Sequence, residues 1–256
     1  MKLSFIIIEY NSINDVLNCL KDIKDLKISV TYEIIVSSNS QYHKNQQQDL
    51  VSNFPDIIWS FNSKNSGFAY GMNRGIRLAH GEYIILQNPD TKIIEFDLKN
   101  LLSFIKGSNI GLVGPKIINS NNEIQDSCRE FLTPIKFIKR LYFRYFCGKS
   151  SILDAKFDYE KIQPVDWVIG GFMIIPQSTI EKIGILSEKY FMYVEDMDYC
   201  YNIWKHNMKV YYYPKLIVEY EGDRKSARVN PFKLTKFTKI QFLNYLIFLK
   251  KYYLNK

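Results

Sequence analysis

Paired cysteines, histidine clusters and long apolar runs are all missing from this sequence, and each absence narrows what the chain can be. Its four cysteines, Cys19, Cys128, Cys147 and Cys200, lie far apart and form no CxxC pair. They read as free thiols of a reducing compartment, not as a disulfide framework. Only His43, His80 and His206 could join them, and at no spacing that suits zinc. No apolar stretch approaches the length needed to span a bilayer; the best, Phe242 to Leu249, is short and contains Asn244. Met1-Lys2 runs straight into a strand-length segment without a cleavage site, so no signal peptide is expected. Glycine and proline are sparse, at 12 and 8 of 256 residues, and nowhere form a linker. One globular unit at the cytoplasmic side is the expectation, soluble or peripheral on a membrane.

What is present is apolar, aromatic and basic. The apolar fraction of 46% supports a real core, and 19 Tyr with 17 Phe supply rings for packing, stacking or a membrane interface. A formal charge of +8 favours anionic partners: nucleotides, nucleic acid or acidic lipid.

Strand-like and helix-like segments alternate over the first half. The runs 3–8, 33–37, 57–61, 83–87 and 111–118 read as strands. Segments 16–26, 41–53, 67–79 and 98–106 read as helices. Alternation of this kind predicts an α/β fold with a mostly parallel central sheet and flanking helices. Ligands of such sheets bind beyond the carboxyl ends of the strands. "YNS", "SNS", "NSKNSG" and "NPD" all fall at such ends, so four polar loops are expected to converge on one edge. In the second half, "INSNNEI" suggests a hairpin turn and Val165 to Ile175 a strand containing a glycine pair. "KVYYYP" and "LIVEY" suggest two more strands, and the tail from Pro231 to Lys256 a basic, aromatic helix.

Four motifs invite a functional reading beside a plainer one. "QNPDT" is a turn by composition, or a device that presents Asp90 to a ligand. "NSGFAYGMNRG" has the spacing G-x3-G-x3-G, which is not a dinucleotide fingerprint; a ligand loop and a helix packed tightly on a strand are about equally favoured. "EDMD" places Glu195, Asp196 and Asp198 in one helical turn, either as N-terminal capping charges or as the source of a general base. "WVIGGFM" offers Trp167, usually a core residue, and the pair Gly170-Gly171, a bulge or a close ligand approach. The basic aromatic segments 129–149 and 232–256 suit a membrane surface or core contacts. RNA binding is disfavoured by the helical spacing and by the lack of an RNA motif.

Taken in order, "SFIIIEYNS", "EIIVSSNS", "NSGFAYGMNRG", "YIILQNPDT", "GLVGPKI", "QDSCR", "VDWVIGGFMII", "KYFMYVEDMDYCYNIWKHN" and "VYYYPKLIVEYEGDRKS" resemble the family 2 glycosyltransferases, in particular bacterial rhamnosyltransferase-like members. The likeness covers roughly residues 3 to 228, and its specificity lies in the joint order of the motifs. It implies a GT-A (Rossmann-like) domain over 1–228; the basic aromatic helix over 229–256, read from its composition, is expected to dock on the membrane or on the core.

The resemblance further implies transfer, with inversion, of a sugar from a nucleotide-sugar. The first donor guess is L-rhamnose from dTDP-L-rhamnose. The implied acceptor is a polyprenyl-diphosphate-linked oligosaccharide of O-antigen or surface-polysaccharide synthesis, at the anionic inner face of the cell membrane. Asp196 then falls at the catalytic base, and Asp90 at the metal and diphosphate site, with Mg²⁺ or Mn²⁺ as the ion. Tyr10, Asn11, Ser38, Asn39, Asn65 and Gly67 fall where base and ribose are held. Trp167, Gly170 and Gly171 fall where donor sugar and acceptor meet, and Asn88 and Glu195 are counted among the donor-binding residues. Three positions depart from the pattern: Ser38 stands for an Asp, Tyr220 for a His, and Glu9 is unusual. Arg224, with Lys225 and Arg228, is expected to carry part of the diphosphate charge. The alternative is a non-catalytic relative that serves as a scaffold in an assembly complex.

Overall fold

A strand covered on both faces must be apolar at nearly every position, and β1 (Leu3–Glu9) is buried along its whole length. The computed structural model describes residues 1–107, 109–131, 133–135, 156–220 and 236–254, without the side chains of 236–238 and 254. In chain order β1 is followed by α1 (Ile13–Asp25), β2 (Tyr32–Ser38), α2 (Lys44–Asn53), β3 (Ile57–Phe61), α3 (Phe68–Ile76), β4 (Tyr83–Gln87), β5 (Thr91–Phe96), α4 (Leu98–Lys106) and β6 (Ile110–Ile118). Short strands β7 (Ile124–Gln125), β8 (Cys128–Arg129), β9 (Gln163–Pro164) and β10 (Trp167–Val168) follow. Then come β11 (Phe172–Pro176), α5 (Gln177–Ile183), α6 (Glu195–Lys205), β12 (Lys209–Tyr220) and α7 (Lys236–Leu254).

The main sheet has the order β3-β2-β1-β4-β11-β6-β12-β5. Strands β1, β2, β3, β4, β6 and β12 point one way, while β11 and β5 run against them. The sheet is therefore mostly parallel. Alternate residues of β1 serve two cores. Phe5 and Ile7 pack with α1 and α4 through Val16, Leu20, Ile23 and Leu101. Ile6 and Ile8 face Ala69, Met72 and Ile76 of α3 in a second core that also holds Met197 of α6 and Phe248 of α7.

Four details differ from the sequence reading. The run 165–175 is not one strand: β10 pairs with β8 in a small separate sheet, β11 enters the main sheet, and Gly170-Gly171 forms the turn between them. "KVYYYP" and "LIVEY" form one strand, β12, whose register shifts between Tyr213 and Ile217, around Pro214, a residue that cannot donate to the ladder. β5 and α5 were not expected. Among the described residues no helix is long and apolar enough to cross a membrane. The expected hairpin at "INSNNEI" joins β6 to β7, with Asn122 in the left-handed region (φ 59°). The segment 136–155, and Arg224, Lys225 and Arg228 with it, lie outside the described residues.

Candidate active site

The carboxyl ends of β1, β2 and β4 lie side by side: Glu9 pairs with Ser38, and Ile7 with Gln87. Because β11 runs the other way, its amino end reaches the same edge, with Phe172 opposite Gln87. Tyr220, the last residue of β12, pairs with Thr91, which brings it beside the "NPDT" turn. The expected convergence of polar loops is thus present.

Next to the edge, Tyr10 is half exposed beside Asn11, which holds a left-handed φ of 53°. Behind them Glu9 is fully buried, with no ion pair among the described residues. One of its oxygens accepts from Ser12 N and Ser40 Oγ, each at 2.9 Å; the other accepts from Ser38 Oγ. Tyr42 also hydrogen-bonds this carboxylate, and burial together with that negative charge pushes its phenol up to about 12. Glu9 thus satisfies a buried charge with donors from the end of β2 and from the loops after β1 and β2, which ties β1 to β2. Ser38 is itself fully buried, its proton committed to Glu9. Its hydroxyl belongs to the buried network around Glu9.

Asn39 is also buried. Its amide donates to Gly67 O at 3.1 Å and Asn65 Oδ1 at 3.4 Å, and Asn65 Oδ1 accepts from Gly67 N at 3.0 Å. Asn62, which the sequence reading passed over, donates to Asn39 Oδ1 at 3.0 Å. The three glycines of this segment have packing reasons. Gly67 has φ 104°, and a Cβ there would lie 2.1 Å from Phe191 O. A Cβ on Gly71 or Gly75 would strike Ile8 or Ile6 at 2.6 and 2.3 Å. Close packing of α3 on β1 therefore explains Gly71 and Gly75, and Gly67 joins this loop to the one before α6.

After β4 the chain turns through Asn88, Pro89 and Asp90. Asn88 N donates to Gly171 O at 2.9 Å, and Thr91 N and Oγ1 close the turn on Asn88 O at 3.2 and 2.7 Å. Asp90 is half-buried. Asn88 Oδ1 is buried without a hydrogen-bond partner. An unsatisfied acceptor two residues before a carboxylate in the same turn suits a hard, oxygen-seeking cation. Among the described residues no group of three or more His, Cys, Asp or Glu could cage a metal. The donor set fits Mg²⁺ or Mn²⁺ only when the ligand supplies further oxygens.

Across the edge stands the start of α6. Tyr193 and Val194 both have left-handed φ, at 69° and 77°, which is costly for a β-branched residue. Asp196 is half-buried; its Oδ2 accepts from Gly170 N at 2.8 Å and its Oδ1 from Met197 N at 2.8 Å. Burial raises its pKa, against the opposing pull of those two N–H groups and of Arg129. A Cβ on Gly170 would lie 3.3 Å from Asp196 Cβ, so the glycine lets the β10–β11 turn approach the carboxylate. Glu195 is buried, with Oε2 unsatisfied, and burial next to Asp196 drives its pKa well up. Asp198 has a structural part: buried, it accepts from Tyr190 OH at 3.1 Å and Lys251 Nζ at 2.7 Å.

Trp167 is only 6% exposed; its Nε1 donates to Glu130 O at 3.0 Å, and the Arg129 guanidinium sits 5.0 Å from its ring centre. The ring is a floor under Arg129. Arg129, itself held to Asp126 at 2.8 Å, was missed; its signal was the "QDSCR" landmark.

The model of the Glycosyl transferase family 2 matches residues 4–155. The chain belongs to glycosyl transferase family 2. The low-salt glycan biosynthesis hexosyltransferase Agl10 of Haloferax volcanii is 29% identical over 212 residues, covering 81% of this chain and 63% of the relative. Rhamnosyltransferase WbbL of Escherichia coli is 23% identical, with 61% and 59% covered. The N-acetylglucosaminyl-diphospho-decaprenol L-rhamnosyltransferase of Mycobacterium tuberculosis is also 23% identical, with 59% and 54% covered. The chain thus spans 54–63% of the length of these relatives. Among solved structures, GalNAc-T7 with UDP, GalNAc and Mn²⁺ aligns at TM-score 0.65 and 14% identity, over 94% of this chain and 47% of its own. The Pyrobaculum calidifontis mannosyltransferase PcManGT with GDP-Man and Mn²⁺ aligns at TM-score 0.60 and 15% identity, over 88% and 58%. These likenesses establish the GT-A fold.

Proposed function

We propose that this family 2 member transfers a sugar, with inversion, from a nucleotide-sugar to a lipid-linked acceptor, with Asp196 as the base. The observation that carries the reading is the placement of Asp196. It is held by Gly170 N in the turn that leads through Gly171 to Asn88 N, so base and "NPD" turn are fixed to one short segment. A half-buried carboxylate of raised pKa can take the proton of an acceptor hydroxyl as that oxygen attacks the anomeric carbon. The bond to the diphosphate breaks on the opposite face, and the departing charge needs a cation. A bound Mg²⁺ or Mn²⁺ would supply that neutralisation, held by Asp90, Asn88 Oδ1 and diphosphate oxygens. Tyr10 offers an open ring for the base of the nucleotide, while Asn65 lines the loop beside it.

The donor dTDP-L-rhamnose and a polyprenyl-diphosphate acceptor are the first choices, supported by the named activities of the Escherichia coli and Mycobacterium tuberculosis relatives. Such an acceptor places the protein at the inner face of the cell membrane. The test is a panel of nucleotide-sugars, each with and without Mn²⁺, read by thermal stabilisation. The matching donor at a hundredfold over its Kd should add about 2.7 kcal/mol, and Asp90→Ala should abolish the metal-dependent part. No stabilisation by any nucleotide-sugar would overturn the proposal and leave the scaffold alternative.

A further inference from the structure

Helix α7 has two apolar faces. On the inner face Tyr245 and Phe248 are buried against α6, where Phe248 meets Tyr201 with ring centres 5.8 Å apart. On the outer face Phe242, Leu243, Leu246, Ile247 and Tyr253 are 41–58% exposed. A helix that is apolar all round normally has apolar surroundings on every side, and the protein core accounts for only half of this circumference. Lys239 and Lys250 are exposed at the two ends of the outer stripe, and the helix holds no acidic residue. Basic ends around an apolar centre match an anionic lipid surface, with rings and aliphatic chains below the headgroups and ammonium groups among them. The helix does not qualify to cross the bilayer, so it would lie in the interface.

The inner face reaches the base through two polar contacts. Asn244 donates to Met192 O at 2.9 Å and Tyr193 O at 3.4 Å, at the left-handed pair Tyr193-Val194. Lys251 holds Asp198 at 2.7 Å, two residues beyond Asp196. We propose that α7 docks its outer face on an anionic lipid surface and, through Asn244 and Lys251, steadies the strained entry to α6, so that lipid contact orders the loop carrying the base. This rests on the reading of Asp196 as that base, but its test needs no turnover.

The full chain is mixed with phosphatidylcholine vesicles, with or without phosphatidylglycerol. Sedimentation reports binding, and hydrogen exchange reports the order of residues 190–198. Expected is binding that requires phosphatidylglycerol, weakened roughly tenfold or more by Leu243→Ser with Ile247→Ser. Exchange at 190–198 should slow several-fold on binding. Asn244→Ala should still bind but lose that slowing; should it fail to fold, Lys251→Met serves in its place. Equal binding by wild type and the outer-face variant would overturn the docking, as would a dimer, seen by light scattering, that the same variant dissolves. Vesicle binding with unchanged exchange at 190–198 would overturn the coupling. The nucleotide-sugar panel reads Asp90 and the donor separately, so failure of the transfer reading is distinguishable.

Discussion

At the scale of single residues, two adjacent carboxyls are set apart by their partners. Asp196 receives two backbone N–H groups, whereas Glu195 has an unsatisfied oxygen. If Asp196 is the base, Asp196→Asn should lower transfer by about 10²–10⁴. The rising limb of the wild-type pH–rate profile should lie above the ordinary carboxylate value of about 4. Glu195 makes a separate, thermodynamic prediction. It is an acid whose pKa is higher folded than unfolded, so the folded chain binds more protons. Stability therefore falls as pH rises from the ordinary carboxylate range through the raised value. Glu195→Gln removes this slope. Relative to wild type it should gain stability toward high pH, by on the order of 1–3 kcal/mol, and melting curves across pH check it. The spacing of "EDMD" announced three carboxylates but not their division of labour, because that depends on Gly170 and Lys251, which come from distant parts of the chain. The same holds for Glu9: its oddity was visible, but its donors lie on loops that only the sheet brings together.

At the scale of elements, the strands buried on both faces were legible because they are continuous apolar runs. Direction was not. Nothing in "FMII" tells whether β11 runs with or against β4, and β5 follows the "NPD" turn too closely to resemble a separate strand. It also lies at a sheet edge, with Ile93 buried and Ile94 exposed. The antiparallel entry of β11 is what brings Gly170 and Gly171 to the carboxyl ends of the parallel strands. The junction of α3 with the loop before α6 is equally non-local. Gly67 has a backbone conformation that side chains rarely adopt, against Phe191 O. Gly67→Ala should therefore cost at least about 2 kcal/mol, in the same direction as the general preference for glycine over alanine at a helix N-cap. Chemical denaturation measures this, and a cost below that of an exposed-loop substitution would show that the junction yields.

At the scale of the whole molecule, the question is whether α7 is an appendage or part of the folding unit. The sequence reading separated it at 228/229 on composition, since lysines and rings suit a membrane as well as a core. In the structure Tyr245 and Phe248 are 1% and 0% exposed within the same core as Met197, Ile6 and Ile84. Loss of Phe248 would leave a void beside Tyr201 and behind α6. Phe248→Ala should thus destabilise the entire chain by about 3–5 kcal/mol, with a single shifted unfolding transition. Leu243→Ser, on the exposed face of the same helix, should stay within about 0.5 kcal/mol of wild type. An independent appendage would behave otherwise: Phe248→Ala would abolish a minor early transition and leave the main one unmoved. Calorimetry of the two variants decides between these, and only the first outcome makes α7 a fixed wall behind Asp196 against which the site can be held in shape.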